Sequence, residues 1–155
     1  MPTPTVGKKI PAFSVTTTAA TKVTNKDLAG TPYVLYFYPR DDTPGCTIES
    51  KDFRDQYAKF KRLKVRVLGV SRDTLSSHAK FQAKYELPFE LVSDPDEALC
   101  HLFDVMKDKN MYGKKVRGIE RSTFLIDAAG VLRREWRKVK VDGHVADVLA
   151  AAGEI

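Results

Sequence analysis

Cysteine is scarce in this 155-residue chain, with Cys46 and Cys100 the two present. Two thiols so far apart cannot staple a small disulfide scaffold, and in a reducing compartment free thiols are the default. Any disulfide here would be catalytic. The three histidines, His78, His101 and His144, fall on separate helical segments without ligand spacing, so no metal is expected and all three are assigned to the surface. No apolar run approaches the ~20 residues of a membrane span. The opening Met-Pro-Thr-Pro-Thr lacks the basic region and apolar core of a secretory signal. A cytoplasmic location without membrane association is therefore expected. Repeats, low-complexity tracts and interdomain linkers are missing as well. Residues 1–155, 43% hydrophobic, then read as one domain with a sizeable core.

The excess charge of +6 is unevenly spread. Residues 105–140 hold 11 Lys and Arg against 4 Asp and Glu, a net +7, which leaves the remainder at −1. A basic surface of this kind suits a nucleic acid, an acidic protein partner, or plain solvation of a loop and an edge strand. The aromatics among them are thin, only Tyr112, Phe124 and Trp136, and no nucleic-acid motif frames them. Nucleic acid is accordingly not expected as a partner, and a chaperone-like or nucleic-acid-binding module using 105–140 stands as the alternative of another class.

Short apolar runs mark strands at 33–38, 65–70, 89–92, 123–127 and 131–139. Helical patterns lie between them. The first runs from Cys46 to about Lys61, with Asp55 placed four residues before Lys59 for support; the second covers about Leu75 to Tyr85. A third opens at Asp94 with Pro95 at its first position and carries Leu99, Leu102, Phe103 and Met106. A fourth spans His144 to Ala152. Asp127 to Gly130 is a turn joining two strands directly, and the threonine-rich stretch Phe13 to Val23 suggests an added N-terminal hairpin. Lys107 to Gly118, polar and without periodicity, reads as a long loop. The sum is an α/β fold, a mixed central sheet flanked by helices.

Asp-Asp-Thr-Pro-Gly-Cys, residues 41–46, follows the first of these strands and places a thiol in the first turn of a helix. Thr43 suits the N-cap and Pro44 the first helical position. Cys46 is then third in the helix, where unpaired N–H groups and the positive end of the helix dipole favour a thiolate. Phe53, Tyr57 and Phe60 continue one stripe from it. A space-filling cysteine would need no such strand, turn, cap and proline around it. Arg121, permanently cationic and forked, can favour the thiolate. Pro39 can shield the sulfur from water, and Glu49, one turn past Cys46, can hold Arg121.

With these residues the chain resembles the peroxiredoxins, most closely the bacterioferritin comigratory protein or peroxiredoxin Q subgroup. The resemblance rests on Phe37-Tyr38-Pro39, on Pro39, Thr43 and Cys46 as Pro-x-x-x-Thr-x-x-Cys, and on Gly118 through Asp127 around Arg121. It implies a thioredoxin-like fold and a thiol peroxidase acting on hydrogen peroxide or organic hydroperoxides. Cys46 would be the peroxidatic cysteine, with Pro39, Thr43 and Arg121 completing its site, Arg121 binding the peroxide oxygens and the Thr43 hydroxyl orienting the peroxide, and no cofactor. Members of the subgroup place a resolving cysteine where this chain has Lys51 or Gln82. A one-cysteine mechanism is then expected, in a monomer, with a thioredoxin-like, glutaredoxin-like or small-thiol reductant. Cys100 is either a packed, idle thiol or a resolving one reached after local unfolding. A disulfide-exchanging oxidoreductase is disfavoured because the second position of a Cys-x-x-Cys is Glu49.

Overall fold

The computed structural model describes residues 3–19 and 21–155. Strand β3 (Tyr33–Phe37) is apolar at every position because it is covered on both sides: Tyr33, Leu35 and Phe37 face one core, Val34 and Tyr36 the other. Around it, β4 (Arg66–Ser71) and β5 (Leu91–Ser93) run parallel and β8 (Ser122–Ile126) antiparallel, and β9 (Leu132–Trp136) pairs antiparallel with β8. At the β5 edge the threonine-rich segment adds a hairpin, β1 (Ser14–Thr17) and β2 (Lys22–Thr24), with Val15 opposite Val23. The order is β2-β1-β5-β4-β3-β8-β9, the expected mixed central sheet. The expected N-terminal hairpin is present, although its Ala20 lies outside the described residues.

Helices α2 (Pro44–Arg62), α3 (Leu75–Lys84) and α5 (His144–Ala152) cover one face, and α1 (Asn25–Leu28) and α4 (Ala98–Leu102) the other. Helix α2 presses Cys46, Phe53 and Phe60 onto the sheet, with Tyr57 at the margin of the stripe. Tyr36 fixes its height: the ring stacks on Phe53 at 4.5 Å and its hydroxyl lies 3.0 Å from Ser50 Oγ. Gly69 opposite makes room, since a Cβ there would stand 2.7 Å from the tyrosine ring. Asp55 bonds its neighbour Arg54 rather than Lys59.

Three expectations are corrected. Residues 107–118 are not a loop but most of a hairpin, β6 (Met106–Met111) and β7 (Lys114–Ile119), closed by Tyr112-Gly113 with positive φ at both residues, 53° and 79°. Both turn residues are left-handed, the type I′ geometry that suits hairpin twist. The hairpin forms its own two-stranded sheet and Lys114–Gly118 stays largely exposed, so β7 carries no apolar alternation in the sequence. The helix expected from Asp94 begins at Ala98, after Glu97 in a left-handed conformation (φ 62°). Asp94 caps it from a distance, accepting from the N–H groups of Leu99 (3.1 Å) and Cys100 (2.8 Å). Finally, His78 and His144 are buried and not at the surface.

Candidate active site

The segment between β3 and α2 is tied down before the helix starts. The Asp41 carboxylate accepts from Tyr38 Oη (2.6 Å) and Ser77 Oγ (2.8 Å) and meets His78 Nδ1 at 2.8 Å, while the Asp41 N–H donates to Asp73 (2.9 Å). His78 Nε2 donates to the Val92 carbonyl at 2.8 Å. Asp41, Asp73 and His78 are thus close enough to gather round a metal, but hydrogen bonds already engage the His78 nitrogens and the oxygens they face. Asp42, left-handed at φ 57°, accepts from Lys84 (2.7 Å) and Tyr85 Oη (2.6 Å). These anchors aim the chain into the first turn of α2.

Thr43 stands at the N-cap with extended backbone and Pro44 follows in the first turn, as the sequence requires. Its hydroxyl, however, does not cap: it donates backwards to the Arg40 carbonyl at 3.0 Å. The N–H groups of the first turn, which have no intrahelical partners, are therefore not taken by this side chain. Pro39 is half-buried at the end of β3, four residues before Thr43.

Cys46 is fully buried, and Arg121 Nη2 donates to its sulfur at 3.3 Å. Arg121 enters from the turn between β7 and β8, its side chain 14% exposed. Its Nη1 donates to Glu49 Oε1 at 2.6 Å, a charge-assisted bond that anchors the fork. Gly45 permits this approach, because a Cβ there would stand 3.1 Å from Nη2. Burial acts against the guanidinium charge, and Glu49 and Cys46 outweigh it. Glu49 is wholly buried, and burial pushes its carboxyl up to about 7 against the pull of Arg121. The structure thus brings together Cys46, Arg121 and Glu49 as the sequence suggested.

Two neighbours escaped the sequence reading. Lys109 of β6 donates to the Ile119 carbonyl, and its ammonium is pulled below its ordinary range by burial and by nearby Arg121, with Cys46 acting in the opposite sense. A second cation therefore bears on the sulfur. Mistaking the hairpin for a loop hid it. His144 lies behind Glu49, its Nε2 3.9 Å from Oε2. Its signal was present: His144, Val148, Ala151 and Ala152 keep an i, i+4, i+7, i+8 spacing, the buried stripe of α5.

Cys100 is not brought to the site. It packs with Tyr33, Leu35, Phe37 and Phe103, whereas Cys46 packs with Val34, Tyr36 and Tyr38, so the sheet lies between the two thiols. Burial, and after it Asp94, push the Cys100 thiol far above its ordinary range.

A strand-turn-helix thiol held by an arginine on a thioredoxin-like sheet defines a class, and the AhpC/TSA family model matches residues 6–135. The chain belongs to this family, the peroxiredoxins, and is a peroxidase. Within it the chain falls in the bacterioferritin comigratory protein, or peroxiredoxin Q, subgroup. It is 51% identical to a putative peroxiredoxin bcp of Coxiella burnetii over 93% of this chain and 95% of that one. Among solved structures, the bacterioferritin comigratory protein of Xanthomonas campestris, studied for alkyl peroxide reduction, is similar at 50% identity with a TM-score of 0.87, covering 92% of this chain and 90% of that one. A peroxiredoxin Q mutant of Xylella fastidiosa matches at 41% identity and a TM-score of 0.91, covering 97% and 96%.

Proposed function

We propose that Cys46 is the peroxidatic cysteine of a one-cysteine peroxidase that reduces hydrogen peroxide and organic hydroperoxides. The observation that carries this reading is the bond from Arg121 to the Cys46 sulfur, at a helix N-terminus and with the arginine anchored by Glu49. The Cys46 thiolate attacks the terminal peroxide oxygen, the O–O bond breaks, and the sulfur takes the hydroxyl as sulfenic acid. The departing oxygen leaves as alkoxide or hydroxide and takes a proton from water. Arg121, and the first-turn N–H groups that Thr43 leaves free, are placed to stabilise the charge that builds on it. Pro39 and Thr43 complete the pocket wall, with the Thr43 hydroxyl orienting the peroxide.

An external thiol then attacks the sulfenic acid, releasing water and forming a mixed disulfide that a second thiol resolves. A thioredoxin-like or glutaredoxin-like protein or a small thiol fits this role, in a monomeric enzyme of the cytoplasm. The position of Cys100 supports an external reductant, since an internal disulfide needs Cα atoms within about 6 Å and the sheet stands in the way. The module reading for 105–140 is weaker: Lys107 pairs with Asp104, Arg117 with Glu97 and Arg133 with Asp127, and β8 within the segment is buried.

Peroxide consumption driven by dithiothreitol tests the assignment. Activity should vanish in Cys46→Ser; retention sinks it. Intact mass after one equivalent of peroxide should show the gain of one oxygen, trapped as a sulfenic acid adduct, and not the loss of two hydrogens.

A further inference from the structure

Behind Arg121 lies a buried acid–base pair that the peroxide chemistry above does not use. Glu49 gives Oε1 to Arg121, while Oε2 is buried without a hydrogen-bond partner among the described residues. His144 Nε2, on a side chain 4% exposed, faces that oxygen at 3.9 Å and lies 2.8 Å from Thr123 Oγ1. A bare carboxylate oxygen in an interior is rare and costly. A small side-chain adjustment closes 3.9 Å to hydrogen-bonding range, and a proton on the line then satisfies both atoms. Glu49 Oε2–H would donate to Nε2, with the ring proton of His144 on Nδ1. When Glu49 ionises, the Thr123 hydroxyl supplies Nε2 instead.

We propose that His144 is a positioning residue of the peroxidase: it accepts the Glu49 proton, and the protonation of this pair sets how firmly Glu49 holds Arg121 against the Cys46 sulfur. The inference rests on Cys46 being the peroxidatic thiol. Below the Glu49 transition Arg121 bonds a neutral carboxyl, and above it a carboxylate, whose charge-assisted bond is roughly twice as strong. The charged neighbours decide where the proton sits. Cys46 and Asp52 on α2, Arg121 before β8, Asp147 on α5 and the Tyr36 phenol on β3 surround the pair, Lys109 on β6 acts on Arg121 beyond it, and Trp136 of β9 packs T-shaped with the His144 ring. Burial pushes Glu49 up to about 7 and pushes His144, in the first turn of α5, down to about 4. The proton therefore belongs to Glu49.

Carbon-13 NMR of the glutamate carboxyls in Cys46→Ser, which removes the titration of the thiol, reads the pair directly. One carboxyl should titrate near pH 7 and disappear on adding Glu49→Gln. His144→Leu removes the acceptor and should lower that midpoint by about one pH unit, roughly one hydrogen bond. His144→Gln, which keeps an acceptor oxygen, should restore it. With Cys46 intact, the corresponding limb in the pH profile of kcat/KM for peroxide should move with it. A Glu49 midpoint below 5, or one that stays or rises in His144→Leu, overturns the inference, as does a loss of stability with the midpoint unmoved. Peroxide consumption that survives Cys46→Ser would instead strike the assignment of the thiol, and the NMR midpoints would still judge the pair.

Discussion

Glu49→Gln should make the protein more stable and a poorer enzyme. The folded chain holds the Glu49 proton more tightly than the unfolded chain does, with a carboxyl at about 7 against an ordinary 4.5. Stability tied to this group is therefore complete below about 4.5 and is lost as pH rises through 7. The difference between those values corresponds to about 3 kcal/mol at pH 8, net of the attraction to Arg121. Glutamine imitates the protonated carboxyl, its amide oxygen bonding Arg121 and its NH2 group facing His144 Nε2. Urea denaturation of variant and wild type from pH 4.5 to 8 isolates the effect, because titrating groups distant from Glu49 cancel in the difference. That difference should be near zero at pH 4.5 and rise to about 1–3 kcal/mol at pH 8, a gain of roughly 3–10 °C in Tm for a chain of this size. The rate of peroxide reduction should fall about 10-fold at pH 8, as Arg121 trades a charge-assisted anchor for a neutral one. A stability difference that does not change with pH, or a variant less stable at pH 8, would refute the reasoning.

Arg121→Ala should slow peroxide reduction about 100-fold or more in kcat/KM, measured by stopped-flow consumption, and an unchanged rate would show that the guanidinium does no chemistry. Gly45→Ala places a methyl group 3.1 Å from Arg121 Nη2 and should displace the arginine by a few tenths of an ångström, lowering kcat/KM about 10-fold while leaving urea stability within about 1 kcal/mol. Cys100→Ser should turn over peroxide with dithiothreitol at the wild-type rate; a Cys46–Cys100 cross-linked peptide in oxidised wild type, with turnover lost in the variant, would assign Cys100 a resolving role.

Strands β3, β4, β8 and β9, helices α2, α3 and α5 and the Asp127 turn were legible because each carries its own signal, an apolar run, a stripe, or turn chemistry. The line from Cys46 through Arg121 to Glu49 was legible from residue types and from the resemblance together. What escaped depends on tertiary setting. Lys109 looked like one lysine among many because its partner strand β7 is exposed over Lys114–Arg117 and carries no apolar alternation to mark a hairpin. His78 and His144 were placed at the surface by residue type, although both sit on buried stripes, and their partners Asp41 and Thr123 come from distant segments. Asp94 was taken as a helix start when it caps the helix from outside, which only a three-dimensional turn through Pro95 and Glu97 allows.

Under the proposed assignment, the two cysteines show why exposure alone does not identify a reactive thiol. Both are fully buried, and both face a β-sheet from a helix. Their surroundings differ in charge. On one side of the sheet the sulfur meets the Arg121 guanidinium, with Lys109 beyond it and a helix N-terminus beneath. On the other side the thiol lies beside Asp94, with Glu97 adding to the repulsion, so forming an anion there would oppose both burial and two carboxylates. A thiolate is the nucleophile in attack on a peroxide. What separates the two positions is the nearest full charge: a guanidinium at Cys46, a carboxylate at Cys100.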